Sequence, residues 1–325
     1  MRAATAPSPS SAAQAASAQA LLARLRENLE KVIRGKREPL ELLLCCVAAS
    51  GHALLEDVPG TGKTTLAKAL ARSVGGVFKR VQFTPDLLPT DILGSSIFVP
   101  QEGSFRFKPG PVFANVLIAD EINRASPRTQ SALLEALSER QVTVDGETRS
   151  LAPPFLCIAT QNPVEFHGTY PLPEASLDRF AAQLSLGYPP EAEERDMLVH
   201  QAGHVALGTL PAVASLGELV ALQASVEAVA MEPTVADYLL RIVQATRSHP
   251  SVRLGVSTRG AITYGQMARA RALMHGRDYV LPEDLKRLAC AVVAHRLVLD
   301  TRARYSGVDK RVLAEEIASS QPVPR

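Results

Sequence analysis

The stretch Glu56-Asp57-Val58-Pro59-Gly60-Thr61-Gly62-Lys63-Thr64-Thr65 decides how the rest of the chain is read. An apolar run, 52–56, precedes it, and a segment with helical spacing, 63–74, follows it. Strand, glycine-rich loop and helix in that order make a phosphate cradle. Gly60 and Gly62 let backbone N–H groups point inward, and the helix N-terminus adds a dipole that favours anions. Pro59, Thr61 and Thr65 complete the lining. Lys63 is expected to meet the β- and γ-phosphates of a nucleotide, and the Thr64 hydroxyl to ligate Mg²⁺. The general pattern GxxxxGK[ST] has glycine where this chain has Asp57, so the turn into the loop must accept a side chain.

Outward from the loop, further apolar runs at 77–83, 116–120, 155–161 and 182–186 alternate with helical segments. Such alternation predicts an α/β fold with a parallel sheet covered on both faces. In 127–140, Ser126 suits the N-cap and Pro127 the first helical position, while Leu133, Leu134 and Leu137 form an apolar stripe. Asp145-Gly146, inside the alternating stretch 141–149, predicts a tight hairpin. The Pro- and Gly-rich stretch 84–111 is too long for a plain connection and reads as an insertion with a job. After Pro189-Pro190 the pattern reads as helices only: 191–202, 216–229, 233–248, 259–275, 282–295 and 308–318. A core domain over 17–190 and a smaller helical domain over 191–325 follow. Residues 1–16, almost all Ala, Ser, Pro and Thr, lack the apolar core of a secretory signal and are expected to form a flexible tail.

Three constellations add chemistry to the loop. Val116-Leu117-Ile118-Ala119-Asp120-Glu121 is an apolar strand ending in two acids. Asp120 would hold Mg²⁺ through its waters, and Glu121 would orient and deprotonate an attacking water, which argues hydrolysis. Asn162, in Ala159-Thr160-Gln161-Asn162-Pro163, closes another strand with an amide able to hydrogen-bond both the γ-phosphate and that water. Leu177-Asp178-Arg179-Phe180 sets an arginine between apolar anchors.

Taken together, PGTGKTT, LIADEINRASPRTQSALLEAL, ATQNP, GTYPLPEASLDRF and a later STRG resemble the AAA+ ATPases of the MoxR type over residues 20–320. The resemblance implies a P-loop core with a parallel five-stranded sheet, followed by an all-α lid. It implies ATP and Mg²⁺ as cofactors, and Asp57 as a frequent variant of the first loop position. Asn162 matches sensor 1. Arg179 matches the arginine finger that acts on ATP held by a neighbouring subunit, and Arg259 matches sensor 2, the lid arginine that reaches the γ-phosphate. Thr258 stands where the family often has Pro. Ile33 to Gly35 matches the loop that packs against adenine, and the insertion at 84–111 and the hairpin at 141–149 match the two inserts of the helix-2-insert clade, which face a ring pore. The implied partners are further copies of the chain in a hexamer and a protein client, with a protein carrying a von Willebrand factor A domain as one candidate. Arg124 and Arg128 are candidates for the subunit interface.

Composition sets the outer bounds. On about 150 residues per domain, 325 residues suggest two. With 46% hydrophobic and 21% charged residues, a disordered or collagenous chain is excluded. A net charge of +2 gives no general affinity for nucleic acid. Two other readings remain: a nucleic-acid motor and an ATP-binding assembly accessory of the gas-vesicle type. Against the first, the 141–149 hairpin carries Asp145, Glu147 and only Arg149, a poor tracking loop for phosphates. Against the second stands an intact Glu121. Cys45, Cys46, Cys157 and Cys290 form no CxxC, so free thiols in a reducing, cytoplasmic compartment are expected. No apolar run reaches the roughly 18 residues a membrane span needs, so no membrane insertion is expected. His200 and His204 share helical spacing but no third ligand, so metal binding there is not expected.

Overall fold

The computed structural model describes residues 9–162, 170–200 and 207–324. Helix α1 (Pro9–Glu30) opens it, ahead of the start expected at Ser17. Alanine is the best helix former, so the Ala-rich turns before Ser17 extend the helix that Leu21, Leu25 and Leu29 anchor in the core. Residues 1–8 of the expected tail lie outside the described residues, as do His204 and the side chain of His200.

Helix α2 (Arg37–Ala48) leads into β1 (Ala53–Glu56), and α3 (Lys63–Ser73) connects to β2 (Phe78–Gln82). The insertion folds as a short α4 (Pro89–Leu93) and an antiparallel pair, β3 (Gly94–Val99) with β4 (Ser104–Pro109). Then come β5 (Val116–Asp120), α5 (Pro127–Glu139), the hairpin β6 (Gln141–Val144) and β7 (Glu147–Ser150), β8 (Leu156–Gln161), α6 (Glu174–Leu177) and β9 (Ala182–Leu184). Ser126 caps α5 as expected, its hydroxyl accepting from the Thr129 N–H at 3.4 Å. Asp145 (φ 55°) and Gly146 (φ 79°) both sit in the left-handed region that a two-residue hairpin turn requires.

The five-stranded sheet has the order β2-β5-β8-β1-β9, and all its pairs are parallel. Side chains alternate between faces along each strand. Leu55, Val116, Ile118 and Ile158 pack with α1, α2 and α3 on one face. Leu54, Leu117, Ala119 and Cys157 pack with α5 on the other. The order makes β5, β8 and β1 adjacent, so the loop after β1 and the polar ends of β5 and β8 emerge side by side. Open α/β sheets bind ligands at that carboxyl edge.

The second half runs α7 (Glu191–His200), α8 (Leu216–Glu227), α9 (Pro233–Ser248), α10 (Thr258–Met274), α11 (Pro282–Val293), α12 (Thr301–Tyr305) and α13 (Lys310–Ser320). One departure from a helices-only reading is an antiparallel ribbon, β10 (Val252–Leu254) with β11 (Val298–Leu299), formed by short apolar stretches. Thr258, where Pro was the family expectation, is the first residue of α10, capped by Ser257. Asp284 anchors the start of α11: it accepts from the Leu281 N–H at 2.8 Å and pairs with Arg277 and Arg271. The apolar cluster on the α1 face of the sheet continues without a break into α8 to α11.

A buried histidine ties these layers together. His52 Nδ1 accepts from the Cys157 N–H at 3.0 Å, and Nε2 lies 3.0 Å from the Leu137 carbonyl, so the neutral ring serves β8 and α5 at once. Burial lowers its pKa from 6.5 to about 4. The unfolded chain therefore binds a proton more readily than the native one between those values. Stability should be intact above pH 6.5 and fall by roughly 3 kcal/mol on acidification towards pH 4. Denaturation curves across that range should show a flatter slope for His52→Gln, and an unchanged slope would contradict the assignment.

Candidate functional site

The phosphate-loop residues take the conformation their sequence predicts. Gly60 (φ 86°) and Gly62 (φ 91°) are left-handed, which a side chain would strain, and a Cβ on Gly60 would meet nothing within 4 Å. The cradle is therefore open. Lys63 begins α3, and its Nζ donates to the Asp57 and Val58 carbonyls at 2.9 and 2.8 Å, folding over the loop. Burial lowers the pKa of this ammonium, against the pull of Asp57, Asp120 and Glu121.

Asp57 resolves the one departure from the loop pattern. Its carboxylate turns away from the cradle and accepts from the N–H groups of Leu186 and Gly187 and from the Ser185 hydroxyl. A glycine there would leave those amides unpaired beside β9. Asp57→Ala should therefore cost about 1–3 kcal/mol of folding stability, the penalty for orphaned buried donors. Asp57→Asn, which keeps one acceptor oxygen, should lose less. Equal stability for the alanine variant and the parent in urea unfolding would contradict this role.

A cleft of about 360 Å³ lies at the carboxyl edge of the sheet, lined by Pro59 to Thr65, Arg80, Asp120, Glu121, Thr160, Gln161 and Asn162. The structure thus brings together the loop residues, both acids and the amide. The Thr160 hydroxyl donates to Asp120 Oδ1 at 2.6 Å and accepts from the Glu121 N–H at 2.8 Å, so one buried side chain fixes both acids. Glu121 itself is left-handed at φ 58°, a rare state for a non-glycine residue. Gln82 donates to Glu121 Oε2 at 2.7 Å, and Arg124 stands 3.3 Å from the same oxygen. Arg80 meets Asp120 Oδ2 through Nη2 at 2.7 Å and Nε at 3.1 Å.

Thr160, Gln82 and Arg80 were not singled out from the sequence. Thr160 lay in plain view within the strand that Asn162 follows. For Arg80 and Gln82 the signal was the sheet order: β2 pairs with β5, with Gln82 opposite Asp120, and no residue pattern states that pairing.

Ile33 reaches the loop, whereas Gly35 packs against the start of the second half. Ile33 is buried, and its Cδ1 lies 3.9 Å from the position of a Cβ on Gly62. Gly35 (φ 67°) abuts Pro190, whose ring would stand 2.8 Å from a Cβ there. Four predicted site residues do not line the cleft: Ile33 and Gly35, and also Arg179 and Arg259. Arg179 donates to the Leu134 carbonyl at 2.5 Å and to the Ser138 hydroxyl, which ties it to the outer end of α5. Arg259 is exposed in the first turn of α10. Arg128 is exposed on α5, and Arg124 is engaged with Glu121.

The donor chemistry fits a nucleotide with Mg²⁺. The open glycine cradle offers N–H groups at a helix N-terminus, and Thr64 and Asp120 offer a hydroxyl and a carboxylate, the hard oxygen donors that Mg²⁺ takes alongside phosphates. Among the described residues no cluster of three or more His, Cys, Asp or Glu exists that would hold a metal by itself.

Comparison with known proteins agrees with this geometry. The sequence pattern of the ATPase family associated with various cellular activities (AAA) matches residues 52–182, and that of the AAA lid domain matches 244–317. The chain is 49% identical to the uncharacterized protein YeaC of Bacillus subtilis, covering 94% of this chain and 95% of that protein. It is 39% identical to the chaperone MoxR1 of Mycobacterium tuberculosis, covering 91% and 81% of the two chains. A crystal structure from Cytophaga hutchinsonii superposes with a TM-score of 0.89 at 35% identity, covering 97% of this chain and 98% of that one.

Proposed function

The chain belongs to the MoxR-type AAA+ ATPases, and from that premise we propose that it works as a hexameric ring in which Mg²⁺-dependent ATP hydrolysis remodels or activates a protein partner. The observation that carries this reading is an incomplete site. Lys63, Thr64, Asp120, Glu121 and Asn162 line one cleft, while Arg179 is held on α5 outside it. A second copy supplying that arginine would complete the charge set.

In this mechanism Lys63 leaves the Asp57 and Val58 carbonyls and, with the loop N–H groups, binds the β- and γ-phosphates. Mg²⁺ held by Thr64 and Asp120 would supply charge neutralisation on the phosphate oxygens. For Asp120 to serve that purpose, Arg80 must give up its hydrogen bonds to Oδ2. Glu121 accepts the proton of the attacking water once its Oε2 turns from Gln82, and Asn162 holds that water in line. Ile33 packs beside the base and Arg259 brings the lid to the γ-phosphate. The core over 17–190 and the lid over 191–325 are then the two working parts.

A protein client suits the outward-facing inserts. Phe98 and Phe105 of the β3–β4 hairpin stack edge-on at 5.4 Å and are 54% and 74% exposed. Arg149, the cation of the second hairpin, lies 4.0 Å above the Phe107 ring and pairs with Glu147, so it is already engaged, which weighs against nucleic acid. A protein with a von Willebrand factor A domain is the partner class we would try first, in the cytoplasm. Among the described residues, no helix is long and apolar enough to cross a membrane.

Turnover per subunit, followed on dilution beside sedimentation of the same samples, tests the oligomeric claim. It should fall with the ring fraction. Constant turnover in sedimentation-verified monomer would contradict it.

A further inference from the structure

Arg179 and Arg259 serve different sites in the reading above, one the neighbour's nucleotide and the other its own. The structure joins them through Asp178. This residue precedes Arg179 at the end of α6, and its two carboxylate oxygens are used separately. Oδ1 accepts from Arg296 Nε at 2.8 Å, and Oδ2 accepts from the Ser257 hydroxyl at 2.7 Å.

Both partners belong to the lid, and both are rigidly placed. Ser257 is the N-cap of α10, accepting from the Gly260 N–H at 2.9 Å, two positions before Arg259. The Arg296 side chain is 1% exposed. Its Nη2 donates to the carbonyls of Phe180 at 2.6 Å and Asp178 at 3.3 Å, and its Nη1 to Ala181 at 3.3 Å, so it gathers the backbone on either side of Arg179. Arg296 also abuts the first turn of α10: a Cβ on Gly260 would stand 2.9 Å from its Cδ and Nε. The first turn of α10, Arg296 and residues 178–181 therefore form one interlocked unit. A shift of the first turn of α10 against residues 178–181 would break the Ser257–Asp178 hydrogen bond and the packing of Gly260 on Arg296. Arg296 in turn holds residues 178–181 through hydrogen bonds to a buried guanidinium.

We propose that Asp178 is a positioning residue that transmits the lid's response to a subunit's own nucleotide into the placement of Arg179 at the next subunit's site. Nucleotide held by one subunit moves α10 through Arg259, and the Ser257–Asp178–Arg296 lock draws the Arg179 backbone with it, releasing the guanidinium from the Leu134 carbonyl and the Ser138 hydroxyl. Each site thereby reads the occupancy of the neighbour that completes it. This rests on the reading that Arg179 acts in trans.

The test mixes a minority of parent subunits with an excess of full-length subunits that do not hydrolyse ATP but keep Arg179. One set carries Lys63→Ala and, at an ATP concentration near the parent's dissociation constant, leaves most of its sites empty; the other carries Glu121→Gln and holds ATP. Turnover per parent subunit should differ between the two mixtures by about fivefold or more, the lower range of site-to-site coupling. Adding Ser257→Asp to the surrounding subunits should erase the difference. Asp caps a helix as well as Ser, yet it sets a second carboxylate against Asp178. Ser257→Thr, which keeps the hydroxyl, should restore the difference. If Ser257→Asp subunits do not assemble, Ser257→Gly removes the hydroxyl at a cap cost of a few tenths of a kcal/mol and takes their place. Equal turnover in the two mixtures, or a difference that survives loss of the Ser257 hydroxyl, overturns the link. Surrounding subunits with Arg179→Ala separate that outcome from failure of the underlying reading: if they support parental turnover, Arg179 does not act in trans at all.

Discussion

Glu121→Gln should bind ATP as tightly as the parent and hydrolyse it about 10²–10⁴-fold more slowly, the usual worth of a positioned general base. The substitution leaves the fold of the site untouched. The Glu121 N–H bond to Thr160 is a backbone bond, and a glutamine carbonyl still accepts from Gln82, so Asp120 and the left-handed turn stay as they are. What is lost is the ability to take a proton from water. Lys63→Ala should give the opposite pattern. It removes the loop's only side-chain cation and should weaken nucleotide binding on the order of ten- to a hundredfold, the cost of losing hydrogen bonds from a charged donor. Binding of a fluorescent ATP analogue and single-turnover hydrolysis, measured on both variants, separate the roles. Near-parental turnover in Glu121→Gln would remove it from the chemistry.

The two substitutions also mark how far the sequence could be read. Residues whose role follows from the local chain were legible: Gly60, Gly62, Lys63 and Thr64 by loop spacing, Asp120 and Glu121 by the end of an apolar strand, and the hairpin by Asp145-Gly146. Their places follow from neighbouring residues and need no knowledge of the fold, although the left-handed backbone of Glu121 was not encoded locally. Asp57 was legible as an oddity and explained only by the amides of Leu186 and Gly187, which the chain brings to it across the sheet. Arg80 and Gln82 depended on β2 pairing with β5, and Thr160 on β5 pairing with β8. Parallel pairing between strands far apart in sequence leaves no periodic mark. The ribbon of β10 and β11 was missed because two or three apolar residues read equally well as the flank of a helix. The early start of α1 was missed because alanine and serine carry helix propensity without amphipathic pattern.

The largest effect concerns Arg179. Its guanidinium is held by the Leu134 carbonyl and the Ser138 hydroxyl, on the part of α5 remote from its own phosphate loop. An arginine supplied by a neighbour is worth about 10³–10⁵ in rate in other phosphoryl-transfer enzymes. A pure population of Arg179→Ala subunits should therefore bind ATP normally and be nearly inactive. At ATP concentrations near the parent's dissociation constant, Lys63→Ala subunits should be inactive for the complementary reason, mostly lacking a nucleotide but still offering Arg179. When the two are mixed, some interfaces pair an intact Lys63 with an intact Arg179. Because the repaired rate exceeds background by orders of magnitude, even a minority of such interfaces should register.

ATP turnover of that mixture, set against each variant alone at the same total concentration, is the measurement on which the account rests. It should rise well above the sum of the two separate activities. Parental turnover in Arg179→Ala alone would contradict it, because a site that hydrolyses ATP without the neighbour's arginine does not need a neighbour.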